Sequence, residues 1–307
     1  MSQTADGPPL VDQRPVEPTP RRRPFGPGSY LWDHAGLITF SLTTGAGFAL
    51  QLMHPSVGAV VDEHSVFRTD AIGRASRSIA SVQTWVYGGE EALAEGDRLR
   101  AMHAPLKSTD AAGVTHHALA SGPWAWITLT APYAFTTGAR YFSRRPLAAV
   151  ERESVYGELK QLMRNLHVVE KEIPPTYDDY LARFDEIVKS PLVAHPTVHD
   201  FLRASRTIPP PLTVPRVLRP LWRAAAHLPG RLQHFVTVGT LPEAARAKLG
   251  LNWTRSDERK LRLLGRVIAA VVPLLPERLR YFPIAYRARR AHRAEEAFRR
   301  SLAERPL

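Results

Sequence analysis

The chain has 307 residues, 44% of them apolar, which is enough for one large domain or two small ones with a sizeable core. The net charge is +12, and such an excess of arginine and lysine favours anionic partners. The chain has no cysteine, so disulfides, thiolate catalysis and cysteine-held zinc, haem or iron–sulfur sites are excluded. Zinc-finger spacing and RNA-binding aromatic motifs are missing, and we therefore predict no nucleic-acid partner.

Residues 1–27 contain seven prolines and few large apolar side chains, which predicts a disordered leader rich in proline and arginine. The run of arginines at 21–23 resembles the start of a twin-arginine export signal. Asp33 and His34, however, precede the apolar stretch, and no small-residue cleavage site follows it. We therefore expect no cleaved signal and a cytoplasmic protein.

Residues 35–53, AGLITFSLTTGAGFALQLM, carry no charge and approach the ~20 residues of a membrane span. The stretch nevertheless holds three glycines, three threonines, a serine and a glutamine. We predict a helix that is buried inside a water-soluble domain. Its small residues would allow another helix, or a flat cofactor, to approach closely.

Beyond residue 66 the apolar positions recur mostly at helical spacing, and alternating strand patterns are scarce. The segments with the clearest helical pattern are 91–104, 151–166, 177–189 and 255–274. Thr176 or Asp178 is the candidate N-cap of the third segment. The pattern predicts an all-α fold.

We predict one helical domain over residues 28–295 and a C-terminal tail over residues 296–307. The segment 287–300 is rich in arginine and alanine and is interpreted as a solvated terminal helix. Peripheral contact of this basic helix with a membrane surface is the alternative interpretation. The sequence leaves the oligomeric state open.

One histidine lies on the apolar face of a predicted helix. Ala92, Gly96, Leu99 and His103 recur at spacings of four, three and four, so they share one side of that helix. His103 therefore points towards the core, close to Pro105, which ends the helix. From the spacing alone it is a packed core histidine, part of a metal site or an axial ligand of haem.

A second pair of polar residues lies on the predicted helix before it. Arg74 and Ser78 are four residues apart and hence neighbours on one helical face. A guanidinium and a hydroxyl in this arrangement can bind a carboxylate such as a haem propionate, or steady bound oxygen. An ordinary polar helix face is the simpler interpretation. Paired metal-ligand histidines, a nucleophile elbow, a P-loop and a dinucleotide-binding glycine motif are absent from the sequence.

Several stretches together resemble the family of latex-clearing rubber oxygenases and of the membrane-bound oxygenase of mycophenolic acid biosynthesis. They include RRPFGPGSYLW (22–32), LMHPSVGAVVDEHSVFRTDAIGRASRS (52–78), RAMHAPLK (100–107), IPPTYDDY (173–180) and LPERLRYFP (275–283). The resemblance runs over nearly the whole folded chain. It is most specific between residues 52 and 103.

The resemblance implies a globin-like, all-helical domain that holds haem b. By position, His103 would be the proximal iron ligand, and Arg74 and Ser78 would lie at the haem as catalytic or cofactor-binding residues. Gly96 and Leu99, on the same face as His103, would complete the cofactor site, because a neutral imidazole needs a dry pocket and a flat ring needs space. Arg74 and Ser78 would anchor the haem or polarise the oxygen that binds to it.

The sequence departs from the family pattern at three positions. Ser78 stands where the rubber oxygenases have threonine, so the hydroxyl is kept. Arg77 stands where they have a lysine that can cap the distal iron face, and an arginine stays protonated and is a poor iron ligand. In WITLT (126–130), Thr128 replaces a histidine that many family members carry.

The sequence therefore predicts a haem b-dependent, oxygenase-like oxidoreductase. Its substrates would be O2 and a hydrophobic small molecule, such as an isoprenoid or an intermediate of secondary metabolism. Thr128 favours the alternative, a non-catalytic member of the family that binds haem or lipid, because it removes a histidine that relatives carry.

Overall fold

The structure is a computed structural model in which residues 21–211 and 213–303 are described. Fourteen α-helices lie in these residues: α1 (Tyr30–His34), α2 (Phe40–Met53), α3 (Pro55–His64), α4 (Ala71–Tyr87), α5 (Glu91–His103), α6 (Ser121–Phe142), α7 (Ala149–Asn165), α8 (Tyr177–Lys189), α9 (Pro196–Thr207), α10 (Arg219–Gly239), α11 (Glu243–Lys248), α12 (Arg255–Val271), α13 (Glu277–Arg280) and α14 (Pro283–Ala303). The all-α prediction is confirmed.

A short hairpin interrupts the helices. Strand β1 (Lys107–Thr109) pairs antiparallel with β2 (Thr115–His117), and Ser108 lies opposite His116. The turn contains Gly113 with φ +81°, a conformation that glycine adopts without strain. The sequence pattern predicts no strand here, because three-residue strands carry too few residues for an alternating pattern.

The four helices with the clearest sequence pattern are confirmed as α5, α7, α8 and α12, with ends shifted by up to three residues. Of the two candidate caps of α8, Thr176 is the N-cap: its hydroxyl accepts a hydrogen bond from the Asp179 backbone N–H. The Asp179 carboxylate accepts a hydrogen bond from the Thr176 N–H in return, which completes a capping box. Thr254 and Asp257 form the same arrangement at the start of α12.

The uncharged segment 35–53 is helical only from Phe40, where α2 begins. Leu37 instead forms a β-bridge with Tyr281, which holds the preceding backbone out of the helix. Helix α2 is largely buried and packs against α3, α6, α9 and α10. At Gly45 a Cβ atom would lie 3.0 Å from the Gln233 side-chain nitrogen, so the small residue lets α10 approach. Among the helices that the structure describes, none is long and apolar enough to cross a membrane.

Both ends of the predicted domain extend further than expected. Residues 21–27 belong to the predicted disordered leader, but they lie against the helices: Arg22 forms a 2.7 Å ion pair with Asp97, and the Asn165 side chain donates to the Arg23 carbonyl at 2.8 Å. Helix α14 continues to Ala303, so most of the predicted tail is helical. Residues 1–20 and 304–307 lie outside the described residues.

Candidate functional site: a histidine and an arginine on neighbouring helices

The candidate site lies between α4 and α5, which form an antiparallel pair. Near one end of the pair, Ser81 donates a short hydrogen bond to Glu95. Near the other end, the charge of Arg74 lies close enough to His103 to lower the pKa of the imidazole. These two contacts run in opposite directions along the helices. The structure therefore brings Arg74 near His103 and Leu99, and Ser78 follows Arg74 by one turn on α4.

His103 ends α5 with a fixed ring. Its Nδ1 donates a hydrogen bond to the Leu99 carbonyl oxygen one turn earlier, at 2.8 Å. This bond assigns the proton of the neutral ring to Nδ1 and leaves the lone pair on Nε2. Burial lowers the pKa of His103, and the charges of Arg74 and Arg98 lower it further, against the opposing effect of the Leu99 bond. The ring is thus a neutral imidazole at neutral pH.

Arg74 is a cation in apolar surroundings. Its guanidinium carbon lies 3.8 Å from the centre of the Phe48 ring, close enough for a cation–π contact. Burial, and then the nearby charge of Arg77, lower the pKa of Arg74 to about 10, so the group keeps its charge at neutral pH. Within residues 21–211 and 213–303 it has no salt bridge. Its hydrogen-bond donors therefore remain available to an anion or a polar ligand.

Glu95, on the facing helix, does not neutralise Arg74. Glu95 is engaged by Ser81 and by Arg98, whose guanidinium donates to it at 2.5 and 2.6 Å. Arg77 lies on the exposed side of α4 and pairs with Asp70 at 3.3 Å, and Asp70 also caps that helix. Arg77 thus points away from His103. Ser78 is half-buried, and its hydroxyl makes no hydrogen bond with any described residue.

Helix α6 forms another wall of the site. The Trp124 ring lies 5.4 Å from the His103 ring, and its indole N–H donates to the Leu166 carbonyl at 2.9 Å. Thr128 follows one turn later on the same face and is buried. Its hydroxyl donates to the Ala125 carbonyl of its own helix at 2.8 Å. The hydroxyl proton of Thr128 is therefore already engaged within α6.

Gly96, which is predicted to leave room for a cofactor, lies against another helix. A Cβ atom there would lie 2.6 Å from the Asn165 carbonyl oxygen at the end of α7. The space that the glycine leaves is filled by another helix, and it is not available to a flat ring. Leu99 packs against the two largest apolar clusters of the described chain, and its carbonyl orients His103.

The site offers one imidazole as a ligand for a cofactor. In the described part of the chain there is no cluster of three or more histidine, aspartate or glutamate side chains that could hold a metal. A haem iron needs one neutral imidazole with a free Nε2, and His103 offers it. Aromatic neighbours and an uncompensated arginine fit the flat, apolar ring and the carboxylates of such a group.

Two residues of the site are missing from the sequence prediction. Phe48 belongs to the uncharged segment and Trp124 to a long apolar run, and nothing local separates them from other core aromatics. Spacing within one helix signals only contacts along that helix. The approach of α2 and α6 to this site depends on packing between distant segments.

The fold and the site define an all-α protein in which a neutral histidine lies near a partly buried arginine. The catalytic-domain model of the family described as ER-bound oxygenase mpaB/B'/rubber oxygenase matches residues 32–270. The chain therefore belongs to this family of oxygenases, and the resemblance found in its sequence is confirmed. The comparisons with curated proteins and with solved structures give no match.

Proposed function

We propose that the protein is a haem b-dependent oxygenase that acts on a hydrophobic small molecule. The observation that carries the proposal is the pairing of His103 and Arg74 across α4 and α5. Both groups are desolvated, the imidazole is neutral with Nε2 unprotonated, and the guanidinium has no acidic partner among the described residues. Uncompensated polar groups of this kind reduce stability and are typical of functional sites.

In this proposal His103 holds the iron through Nε2. The Leu99 carbonyl orients the ring and makes the imidazole a stronger donor. When bound, the haem supplies the one-electron and O2 chemistry that protein side chains lack. Arg74 and Ser78 supply hydrogen-bond donors on the facing helix, where they stabilise negative charge. Phe48 and Trp124 keep water away from these donors and strengthen their effect.

The substrate class follows from the same surroundings. The neighbours of Arg74 and His103 are mainly apolar and aromatic, which suits an isoprenoid or a tailored natural product. Cleavage of a double bond, desaturation and oxygen insertion are all compatible with these residues. The family assigns the chain to the oxygenases but leaves the substrate open.

An absorption spectrum of the purified protein, before and after addition of haemin, tests the cofactor. We expect one haem per chain and a Soret band that shifts on reduction. Incubation with isoprenoid alkenes, with and without O2, then tests the activity, and product is expected only with O2. A haem spectrum without O2-dependent product would favour the non-catalytic haem binder that Thr128 suggests. Failure to bind haem would overturn the proposal.

A further inference from the structure

Helix α10 exposes a row of large apolar side chains, which we call the α10 stripe. It consists of Val217, in the turn before the helix, with Leu221, Leu228 and Leu232. Their exposed fractions are 84%, 68%, 74% and 42%. At 100° per residue these positions lie within a narrow sector of the helix, opposite the buried side that contains Ala226 and Gly230. Exposed leucines in such a row mark an interaction surface.

A basic pocket of about 360 Å³ adjoins the stripe, between α9, α10 and the start of α12. Its lining includes Arg206, Arg231 and His234, together with Phe235 and Trp253, whose ring centres are 5.0 Å apart. Arg231 follows Leu228 by three residues and precedes Phe235 by four. The pocket and the stripe therefore share one edge of α10.

The positive groups of the pocket are not neutralised within the described residues. Arg206 and Arg231 are both exposed and form no salt bridge there. His234 donates from Nδ1 to the Leu202 carbonyl at 3.1 Å, which leaves Nε2 available. One acid, Asp257, also lines the pocket, but its carboxylate accepts from the Thr254 hydroxyl at 2.7 Å and lies 3.6 Å from Lys260. The pocket thus presents a net positive surface.

We propose that α10 docks on the surface of an anionic lipid membrane. The α10 stripe enters the interfacial region, and the basic pocket binds lipid phosphate groups through Arg206 and Arg231. Amphipathic helices with arginine beside an exposed apolar face bind membranes in this way. The net charge of +12 strengthens the attraction to anionic lipid. A second copy of the chain is disfavoured as occupant, because it would bring identical unpaired arginines together.

Two other helices, α12 and α14, also expose apolar side chains that could contact a membrane. Helix α12 and the turn after it expose Leu263, Val267, Val271 and Leu274, which also lie on one side of the helix. Beside that row Arg262 is paired with Glu258 at 2.8 Å, whereas Arg259 and Arg266 form no salt bridge with a described residue. The basic helix α14 exposes two large apolar side chains within its described residues, Phe298 and Leu302. Helix α10 differs from both because its exposed row is longer, from 217 to 232, and adjoins a basic pocket.

Sedimentation with sucrose-loaded vesicles tests the proposal on the full chain. We expect binding to vesicles of phosphatidylcholine with phosphatidylserine, and much weaker binding to phosphatidylcholine alone. Binding should fall in 1 M salt, because the Debye length drops from about 8 Å to about 3 Å. The double variant Leu221→Gln/Leu228→Gln should reduce partitioning by about tenfold or more. Arg231→Gln should reduce it about fivefold, equivalent to the ~1 kcal/mol of one basic side chain near anionic lipid.

The controls separate the α10 surface from general stickiness. Val150→Gln/Leu181→Gln removes exposed apolar side chains elsewhere, and Arg144→Gln removes an exposed charge; both should bind vesicles as the unchanged chain does. Loss of binding in Leu263→Gln/Leu274→Gln, with the α10 variants unaffected, would overturn the proposal. So would equal binding to both vesicle types. Complete competition by millimolar inorganic phosphate, with normal binding of the leucine variant, would instead identify a small-anion site and reject membrane docking.

Discussion

Two arginines on neighbouring elements differ in how their charge is compensated. Arg68, before α4, donates to Asp62 of α3 and at 2.8 Å to Asp200 of α9, so its charge is balanced by two carboxylates. Arg74, in the first turns of α4, lies over the Phe48 ring and has no acidic partner among the described residues. The first arginine links three elements, whereas the second lowers stability unless a ligand compensates its charge.

The histidines of the two regions differ in the same way. In the region around α3, both nitrogens of His116 are used: Nδ1 contacts the Ser56 hydroxyl and Nε2 contacts Asp110, each at 3.0 Å. At the candidate site, His103 uses only Nδ1 and faces a cation. The polar side chains around α3, such as Arg68 and His116, are therefore paired with other groups of the protein and stabilise the fold. The α4–α5 region keeps polar atoms available, as a binding site requires.

The largest effect is expected from removal of the imidazole at the candidate site. His103→Ala should lower haem affinity by more than about 100-fold, since even partners of a metal ligand contribute 10–100-fold. The chain should stay helical, and added imidazole should restore much of the haem spectrum by filling the space. Titration with haemin, followed by absorption and circular dichroism, measures both quantities.

His116→Ala is the matched control for that variant. It should leave haem affinity unchanged and lower the free energy of unfolding by about 1 kcal/mol, because Ser56 and Asp110 lose a partner. Full haem binding by His103→Ala, with an unchanged spectrum, would show that another histidine holds the iron. His54, His64 and His117 would then be the next candidates.

Arg74→Met tests the uncompensated charge. If Arg74 acts on ligands of the iron, haem should stay bound while the affinity of the haem-loaded protein for azide falls about tenfold or more, the value of one hydrogen bond to a charged group. The free energy of unfolding without haem should rise by about 1 kcal/mol, because a desolvated charge is removed. Loss of haem with unchanged azide affinity would instead assign Arg74 to a propionate. Ser78→Ala should produce a smaller change of the same kind.

Arg68→Met should act in the opposite direction on stability. It leaves Asp62 and Asp200 without their shared cation, and we expect the free energy of unfolding to fall by about 1 kcal/mol, a modest value because the group is partly solvated. Azide and haem binding should not change. Urea unfolding of both arginine variants, side by side, gives the comparison. Equal destabilisation by Arg68→Met and Arg74→Met would contradict the distinction between the two regions.

The sequence predicts which residues share one face of a helix, but it does not predict which residues of other helices contact that face. The position of His103 on an apolar face and its neighbours at helical spacing are visible in the sequence, because the helical period fixes them. The same face also predicts a cofactor role for Gly96, yet backbone of another helix lies against this glycine. The backbone at Asn165 that fills this space comes from α7, and no local pattern signals which distant segment will approach a glycine.

The partners of polar side chains cannot be predicted from the sequence either, because they also come from distant segments. Arg68 and Arg74 look alike in the sequence, and their different roles depend on whether α3 and α9 bring carboxylates to them. Residues 21–27 show the converse: the composition of the leader predicts disorder, yet Arg22 and Arg23 contact partners on α5 and α7. Composition describes the average tendency of a segment, and a few specific contacts override it.

The smallest predicted effect concerns acid stability in the α3 region. Burial, and then the charge of His116, lower the pKa of His54, and burial lowers that of His195. Each group therefore binds protons more readily in the unfolded chain, where its pKa is about 6.5. Above that value both states are neutral and contribute no pH dependence. As the pH falls through 6.5 towards the lower folded values, the unfolded state gains protons first and stability decreases.

His54→Gln should make the free energy of unfolding less dependent on pH between about 7 and 5.5, because one of the groups that drive the change no longer titrates. The carboxylates whose pKa is lowered by ion pairs, such as Asp62, remain charged throughout this range and do not contribute to it. Urea midpoints at several pH values, compared between His54→Gln and the unchanged chain, measure the difference. The substitution should matter little at pH 8, where His54 is neutral in both states. A stability that rises on acidification, or a His54→Gln slope as steep as the original, would show that this histidine is not held neutral by its surroundings.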